Sequence, residues 1–298
     1  MEAVQQARVG PSPWLLLIRP PNVMTSAADA VAGMALASGL ATLGPANALL
    51  ISASMALYAG GIVFNDVFDA DLDAVERPER PIPSGQVSKT AAAWYGALWL
   101  VLAIMLAAAV SRESGALAVA IAMCALWYNR WGDDFPILGP LAMGVCRGLN
   151  LLLGVSLVPG AIAKVGIVAV LPILFIFAVT LTSRGEVHGK NRTSIIVAMV
   201  FDALLVVGFV GLFALGILHS WSAGLFIVGW AIANGRAKWT AYTDNRPETV
   251  MNAVRVGVLS LIPLDAAYVA GSAGLVFALF LMALLPLSRW LNQRFQVT

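Results

Sequence analysis

Apolar residues run in long unbroken stretches along the 298-residue chain, not in the alternation of a half-buried strand. Ten stretches are long enough, or nearly so, to cross a bilayer as helices. They lie near residues 22–40, 46–67, 90–110, 115–129, 137–158, 165–183, 194–217, 220–235, 250–270 and 273–289. Those at 115–129 and 220–235 are short, which predicts polar ends buried against neighbours or a locally thinned bilayer. Turn signals fall between stretches at Gly44-Pro45, Pro159-Gly160 and Gly271-Ser272-Ala273-Gly274. Continuous runs also exclude an outer-membrane barrel, whose strands alternate. The pattern predicts an all-α polytopic membrane bundle of about nine to ten transmembrane helices. No linker or low-complexity tract divides it, so residues 1–298 read as a single domain.

Composition agrees. Hydrophobic residues make up 60% and charged residues 11%, and mean hydropathy is +0.85; soluble domains run about 45–50% and about 25%. A soluble globule, a disordered chain and a disulfide scaffold are excluded. A net charge of +2 gives no reason to expect nucleic acid as a partner. Cys124 and Cys146 both sit in apolar runs and carry no redox message. Trp14-Leu15-Leu16-Leu17-Ile18, ended by Arg19-Pro20-Pro21, is too short for a cleavable leader.

Charge placement orients the spans. With the N-terminus inside, only Arg112 and Lys164 fall outside, and only Arg147 and Arg255 fall within helices; every other Lys and Arg is on the inner side. This predicts both termini in the cytoplasm, with the plasma (inner) membrane as location. Loops 66–89, 130–136, 184–193 and 236–248 then face the cytoplasm. Trp14, Trp131, Trp221, Trp239 and Trp290 lie near span ends, as an interfacial belt requires.

The chemistry concentrates in Asn65-Asp66-Val67-Phe68-Asp69-Ala70-Asp71-Leu72-Asp73. At about 100° per residue, Asn65, Asp66, Asp69 and Asp73 share one helical face, and Asp71 points away. Like charges one turn apart repel, and acids are disfavoured at a helix C-terminus. A carboxylate drawn toward the bilayer costs about 2.5–3.5 kcal/mol or more. A divalent cation answers all three objections. Mg2+ takes hard oxygen ligands and commonly bridges carboxylates to phosphates. Three prolines between Pro78 and Pro83 predict stiff extended chain after the acids. Ser88 is placed to cap the next span. Arg77 and Arg80 are in reach of anionic oxygen near such a metal, or serve as inside anchors.

Asn65-Asp66-x-x-Asp69-x-x-x-Asp73, followed by Arg80-Pro81-Ile82-Pro83-Ser84-Gly85, resembles the first signature of the UbiA-type intramembrane prenyltransferases. Arg19-Pro20-x-Asn22 at the first span and a polar loop after the sixth extend the resemblance over most of the chain. Within that family, Gly144–Asn150 and Ser183–Arg192 are most similar to the branch called EboC-like. The resemblance implies an all-helical bundle of about nine spans and Mg2+-dependent transfer of a prenyl group from a prenyl diphosphate to a lipophilic, often aromatic, acceptor. It also places Asn22 at the cavity.

One departure stands out. The family's second signature is a pair or triplet of aspartates after the sixth span, and this chain has none there. It offers Glu186, near His188 and Asn191, with Arg184, Lys190 and Arg192. Either Glu186 holds a second Mg2+, or Arg184 and Lys190 clamp the diphosphate in its place. Asp29, Arg147, Asn150, Asp202 and Asp265 lie at membrane depth. Arg147 and Asn150 are nearly one turn apart and can face a polar cavity. Asp202 and Asp265 are expected to pair with Arg147 or Arg255. Arg130, ending the fourth span, is a further candidate contact to diphosphate.

The residues expected to act are thus Asp66, Asp69 and Asp73, with Asn65 and Glu186, as metal holders. Asn22, Arg77, Arg130, Arg147, Asn150, Arg184 and Lys190 are expected at the substrate. Two other readings stay open: an ion-coupled transporter with Asp29, Asp202 and Asp265 as a relay, and a family member that binds a prenyl lipid without turnover.

Overall fold

A computed structural model describes residues 12–38, 40, 43–183 and 191–295. Among them the regular structure is helical. Helix α1 (Pro13–Ile18) is a short approach, followed by α2 (Pro20–Ser38), α3 (Pro45–Phe68), α4 (Ala70–Glu76), α5 (Lys89–Val110), α6 (Arg112–Trp131) and α7 (Leu138–Val155). The second half comprises α8 (Ala161–Val165), α9 (Val170–Ser183), α10 (Arg192–Ala214), α11 (Ala223–Thr243), α12 (Pro247–Leu259), α13 (Leu261–Ser272), α14 (Leu275–Met282) and α15 (Leu284–Phe295).

Seven helical segments among the described residues are long and apolar enough to cross a membrane: Pro45–Phe68, Lys89–Val110, Leu138–Val155, Ala161–Ser183, Arg192–Ala214, Pro247–Ser272 and Leu275–Phe295. Helices α2, α6 and α11 have 19, 20 and 21 residues and are less apolar. The two stretches expected to be short are therefore longer than their apolar cores. Polar residues extend α6 at its start through Arg112-Glu113-Ser114 and α11 at its end through Arg236–Thr243. Ser111 starts α6 by accepting the Ser114 N–H at 3.0 Å, and Ser88 starts α5 by accepting the Ala91 N–H at 3.2 Å. Three spans are broken: at Gly166–Ala169, where a 3-10 turn intervenes, at Ser260 and at Ala283. Hydropathy is blind to such breaks because a long window averages across them.

In the bundle, α2 packs on α3, α7, α13 and α15, and α3 lies between α2 and the α5–α6 hairpin. Helix α7 continues to α9, which meets α10 and α12, and α11 joins α10 to α12 and α13. At the α2–α7 crossing a Cβ on Gly33 would strike the backbone of Leu151 and Gly154, and one on Gly154 would strike Ala30. Small residues let two backbones meet this way in membranes. Leu98, Val101 and Met105 on α5, and Val200, Leu204, Val207 and Val210 on α10, are exposed at helical spacing, forming apolar stripes of the kind lipid covers.

Candidate active site

The acidic segment caps the C-terminal end of α3. The helix stops at Phe68, Asp69 has φ −84° and ψ 3°, and α4 starts at Ala70. Hydrogen bonding runs through the joint: the Asp69 N–H donates to Asn65 O at 2.9 Å and the Asp73 N–H to Asp69 O at 2.8 Å. The single helical face expected for four residues is thereby divided. Asp66 and Asp73 are buried and turn toward the same arginine. Arg80 Nη1 donates to Asp73 Oδ2 at 2.6 Å and lies 3.5 Å from Asp66 Oδ1. Arg19 Nη2 donates to Asp66 Oδ1 at 2.5 Å. Asp69 accepts from Asn65 Nδ2 at 2.8 Å. Asp71 is almost fully exposed, 3.5 Å from Lys89 Nζ.

Residues 78–87 form consecutive turns instead of the extended chain expected from their prolines. Proline's fixed φ also suits the second position of a turn. The Ser84 N–H donates to Arg80 O at 3.0 Å, Gly85 N–H to Ile82 O at 3.0 Å and Val87 N–H to Pro81 O at 3.0 Å. Gly85, at φ +76°, takes the left-handed position that such a fold-back needs. The turn before them, in which the Arg80 N–H donates to Arg77 O at 3.1 Å, carries Arg80 back over the acids. Ile82 and Val87 join Leu17, Val63, Val67 and Ala92 in a small apolar cluster. Of the two arginines expected near the acids, Arg80 is the one paired with them; Arg77 makes no ion pair among the described residues. Arg19 was read only as part of a motif and an inside charge. Its left-handed backbone, φ 46°, breaks α1 from α2 and aims its side chain at α3.

Beside the acids a cleft of about 380 Å3 is lined by Phe68, Asp69, Asp71, Lys89, Asn129, Arg130, Trp131 and Asp134. Asn129 anchors the end of α6 to α3 by donating to Gly61 O at 2.7 Å. Arg130 stacks over the Trp131 ring at 5.7 Å, so it shares the cleft with Asp69 and not with Asp66.

The membrane-depth residues pair differently from expectation. Arg147 Nε lies 2.6 Å from Asp29 Oδ2, and Arg147 Nη2 donates to Thr25 O at 2.7 Å. Asn150 Nδ2 donates to Asp29 Oδ2 at 2.8 Å, and Ser54 Oγ donates to Asn150 Oδ1 at 2.7 Å. Asp265 is buried close to Asp29. Arg147 and Asn150 are thus held by protein groups. Asp202 pairs with Lys238 at 2.5 Å, and Arg255 is exposed. Both pairings answer burial: a charge at that depth needs a partner on an adjacent helix. Of the three acids a transporter relay would use, Asp29 and Asp202 are each held in an ion pair. Asn22 lies beside Tyr58. Arg184, Glu186 and Lys190 lie outside the described residues.

Among the described residues no three of His, Cys, Asp and Glu converge as a metal-holding group; Arg80 stands between Asp66 and Asp73. The donor set still suits Mg2+. It is all hard oxygen from carboxylates and an amide, at the water end of a span.

The profile of the UbiA prenyltransferase family matches residues 28–254. Digeranylgeranylglyceryl phosphate synthase of Methanothrix thermoacetophila is 30% identical over 140 residues, 47% of this chain and 52% of that protein. The synthase of Methanoculleus marisnigri is 32% identical over 143 residues, 48% and 50% of the two chains. This chain thus spans about half the length of the curated relatives it matches. Among solved structures, a UbiA homologue from Aeropyrum pernix K1 superposes with a TM-score of 0.68 at 18% identity, covering 82% of this chain and 96% of that one. A homologue from Archaeoglobus fulgidus bound to GPP and Mg2+ gives 0.65 at 15% identity, covering 86% and 99%.

Proposed function

Since the chain belongs to the UbiA prenyltransferase family, we propose that it moves a prenyl group from a prenyl diphosphate to a lipophilic acceptor within the membrane, with Mg2+ as cofactor. The observation that carries this reading is the buried pair Asp66 and Asp73 at the inner end of α3, held together by arginines. Asn65, Asp66, Asp69 and Asp73 would hold Mg2+, and Glu186 would complete a second site or leave that load to Arg184 and Lys190. When bound, Mg2+ stabilises the charge that builds on the departing diphosphate.

The chain's own side chains do the rest. Arg80 and Arg19 stand at the acids, ready to bind anionic oxygen. The bundle shields the developing allylic cation from water. The acceptor attacks that carbon and loses a proton. Neither step needs a covalent bond to the protein. The relatives are named for making a lipid phosphate, and we extend the acceptor class to a lipophilic molecule of this kind. Residues 1–298 act as one domain, multi-pass in the plasma (inner) membrane, with both termini cytoplasmic.

The test uses purified protein in nanodiscs with Mg2+, prenyl diphosphates of increasing length and a lipid extract of the host. Diphosphate release together with a new prenylated lipid in the mass spectrum is the expected result. Failure to bind any prenyl diphosphate in the presence of Mg2+ would overturn the reading.

A further inference from the structure

Asp66 and Asp73 are neutralised in this structure by two guanidinium groups, and both come from segments that cover the acid face. Arg19 sits at the left-handed break between α1 and α2. Arg80 sits in the turns of residues 78–87. Leu17, two residues from Arg19, and Val87 and Ile82 beyond Arg80 share one small apolar cluster with Val63 and Val67 of α3. That cluster is separate from the main core. The approach helix and the proline loop therefore close over the acids together, and the ion pairs are their only charged ties to Asp66 and Asp73 among the described residues.

The four side chains sum to zero charge, and all four are mostly buried. A divalent cation arriving alone would leave this set with two excess positive charges in a poorly hydrated site. A diphosphate arriving alone would meet guanidinium groups already occupied by carboxylates. When the two arrive together, the cation takes the carboxylates and the freed guanidinium groups take the diphosphate, so every charge keeps a partner.

We propose that Arg19 and Arg80 are exchangeable counter-ions that make divalent-cation binding and prenyl diphosphate binding depend on each other. They are positioning residues for the metal and binding residues for the anion. The proposal rests on the prenyltransferase reading above.

The experiment titrates Mn2+ into full-length protein in nanodiscs and follows free Mn2+ by electron paramagnetic resonance, with and without a non-reactive prenyl thiolodiphosphate. In wild type, the anion should tighten Mn2+ by about fivefold or more, the lower end of ordinary coupling between sites. In Arg19→Gln combined with Arg80→Gln, bare Mn2+ should bind at least about fivefold tighter than in wild type, and the anion should bind more weakly. Structural damage would weaken Mn2+, so the sign separates the two explanations. If the double variant does not fold, Arg80→Gln and Arg80→Lys alone replace it; only the Gln variant should tighten bare Mn2+. Unchanged or weaker Mn2+ binding in a folded Gln variant would overturn the counter-ion proposal and leave the metal site standing. Absence of Mn2+ binding by wild type with and without the anion would overturn both.

Discussion

Arg147 and Asp29 form a 2.6 Å ion pair between α7 and α2, the same two helices whose backbones meet at Gly33 and Gly154. The close approach and the pair require each other. Backbone contact brings the guanidinium within reach of Asp29 and the Thr25 carbonyl, and the pair neutralises what would otherwise be two lone charges in hydrocarbon.

Removing one partner should therefore be worse than removing both. Arg147→Met strands Asp29 beside Asp265, and Asp29→Asn strands the guanidinium; each should cost about 3–5 kcal/mol. The double variant should recover part of that loss. Thermal unfolding in detergent, run as a double-mutant cycle, measures it; additive losses would show that the pair is uncoupled.

Glycine at the crossing should be equally intolerant. Gly154→Ala places a methyl group against the Ala30 carbonyl and should cost about 1–3 kcal/mol or more. Gly211→Ala on α10 meets nothing within 4 Å and should be neutral or stabilising by about 0.5–1 kcal/mol. The two melting temperatures in one detergent decide the point.

How much of this was legible in the chain differs by type of feature. The spans were, because burial in lipid demands about 20 apolar residues in a row and a window sums them. The acidic segment was, because a carboxylate cluster at a span end has few cheap explanations. The partners of those acids were not. Arg80 reaches Asp73 because the chain turns at Pro78, with the Arg80 N–H donating to Arg77 O at 3.1 Å, and proline serves a turn as readily as an extended chain. Arg147 meets Asp29 and not Asp202 because α2 crosses α7, a matter of packing between segments over 100 residues apart. The small residues Gly33 and Gly154 carried a signal for that crossing that the apolar count passes over.

The divided acid face gives a sharper comparison. Asp69→Asn retains size and the contact with Asn65 but removes a charge, so the protein should fold while Mg2+-dependent prenyl diphosphate binding falls by about tenfold or more, the equivalent of about 1.4 kcal/mol. Asp71→Asn, exposed beside Lys89, should bind as wild type within about twofold, since an exposed ion pair contributes little. Binding is measured in nanodiscs at fixed Mg2+; equal loss from both would place the ligands elsewhere.

Orientation can be read chemically. Ser84 and Thr243 are both exposed. Single cysteines there, in a background lacking Cys124 and Cys146, should resist an impermeant thiol reagent in intact cells and react after permeabilisation. Labelling of both from outside would reverse the orientation.

Two helices in backbone contact cannot slide, because a carbonyl lies in the path of a Cα, and they cannot part without baring Arg147 and Asp29 to lipid tails. The α2–α7 crossing is the hub of this bundle. A greasy molecule that slips in sideways from the bilayer has to find a doorway far from that hub, where side chains and not backbones fill the gap. The α9–α10 contact is of that kind: the atoms nearest to a Cβ placed on Gly208 of α10 belong to the flexible Leu171 side chain, and a leucine can swing aside where a carbonyl cannot.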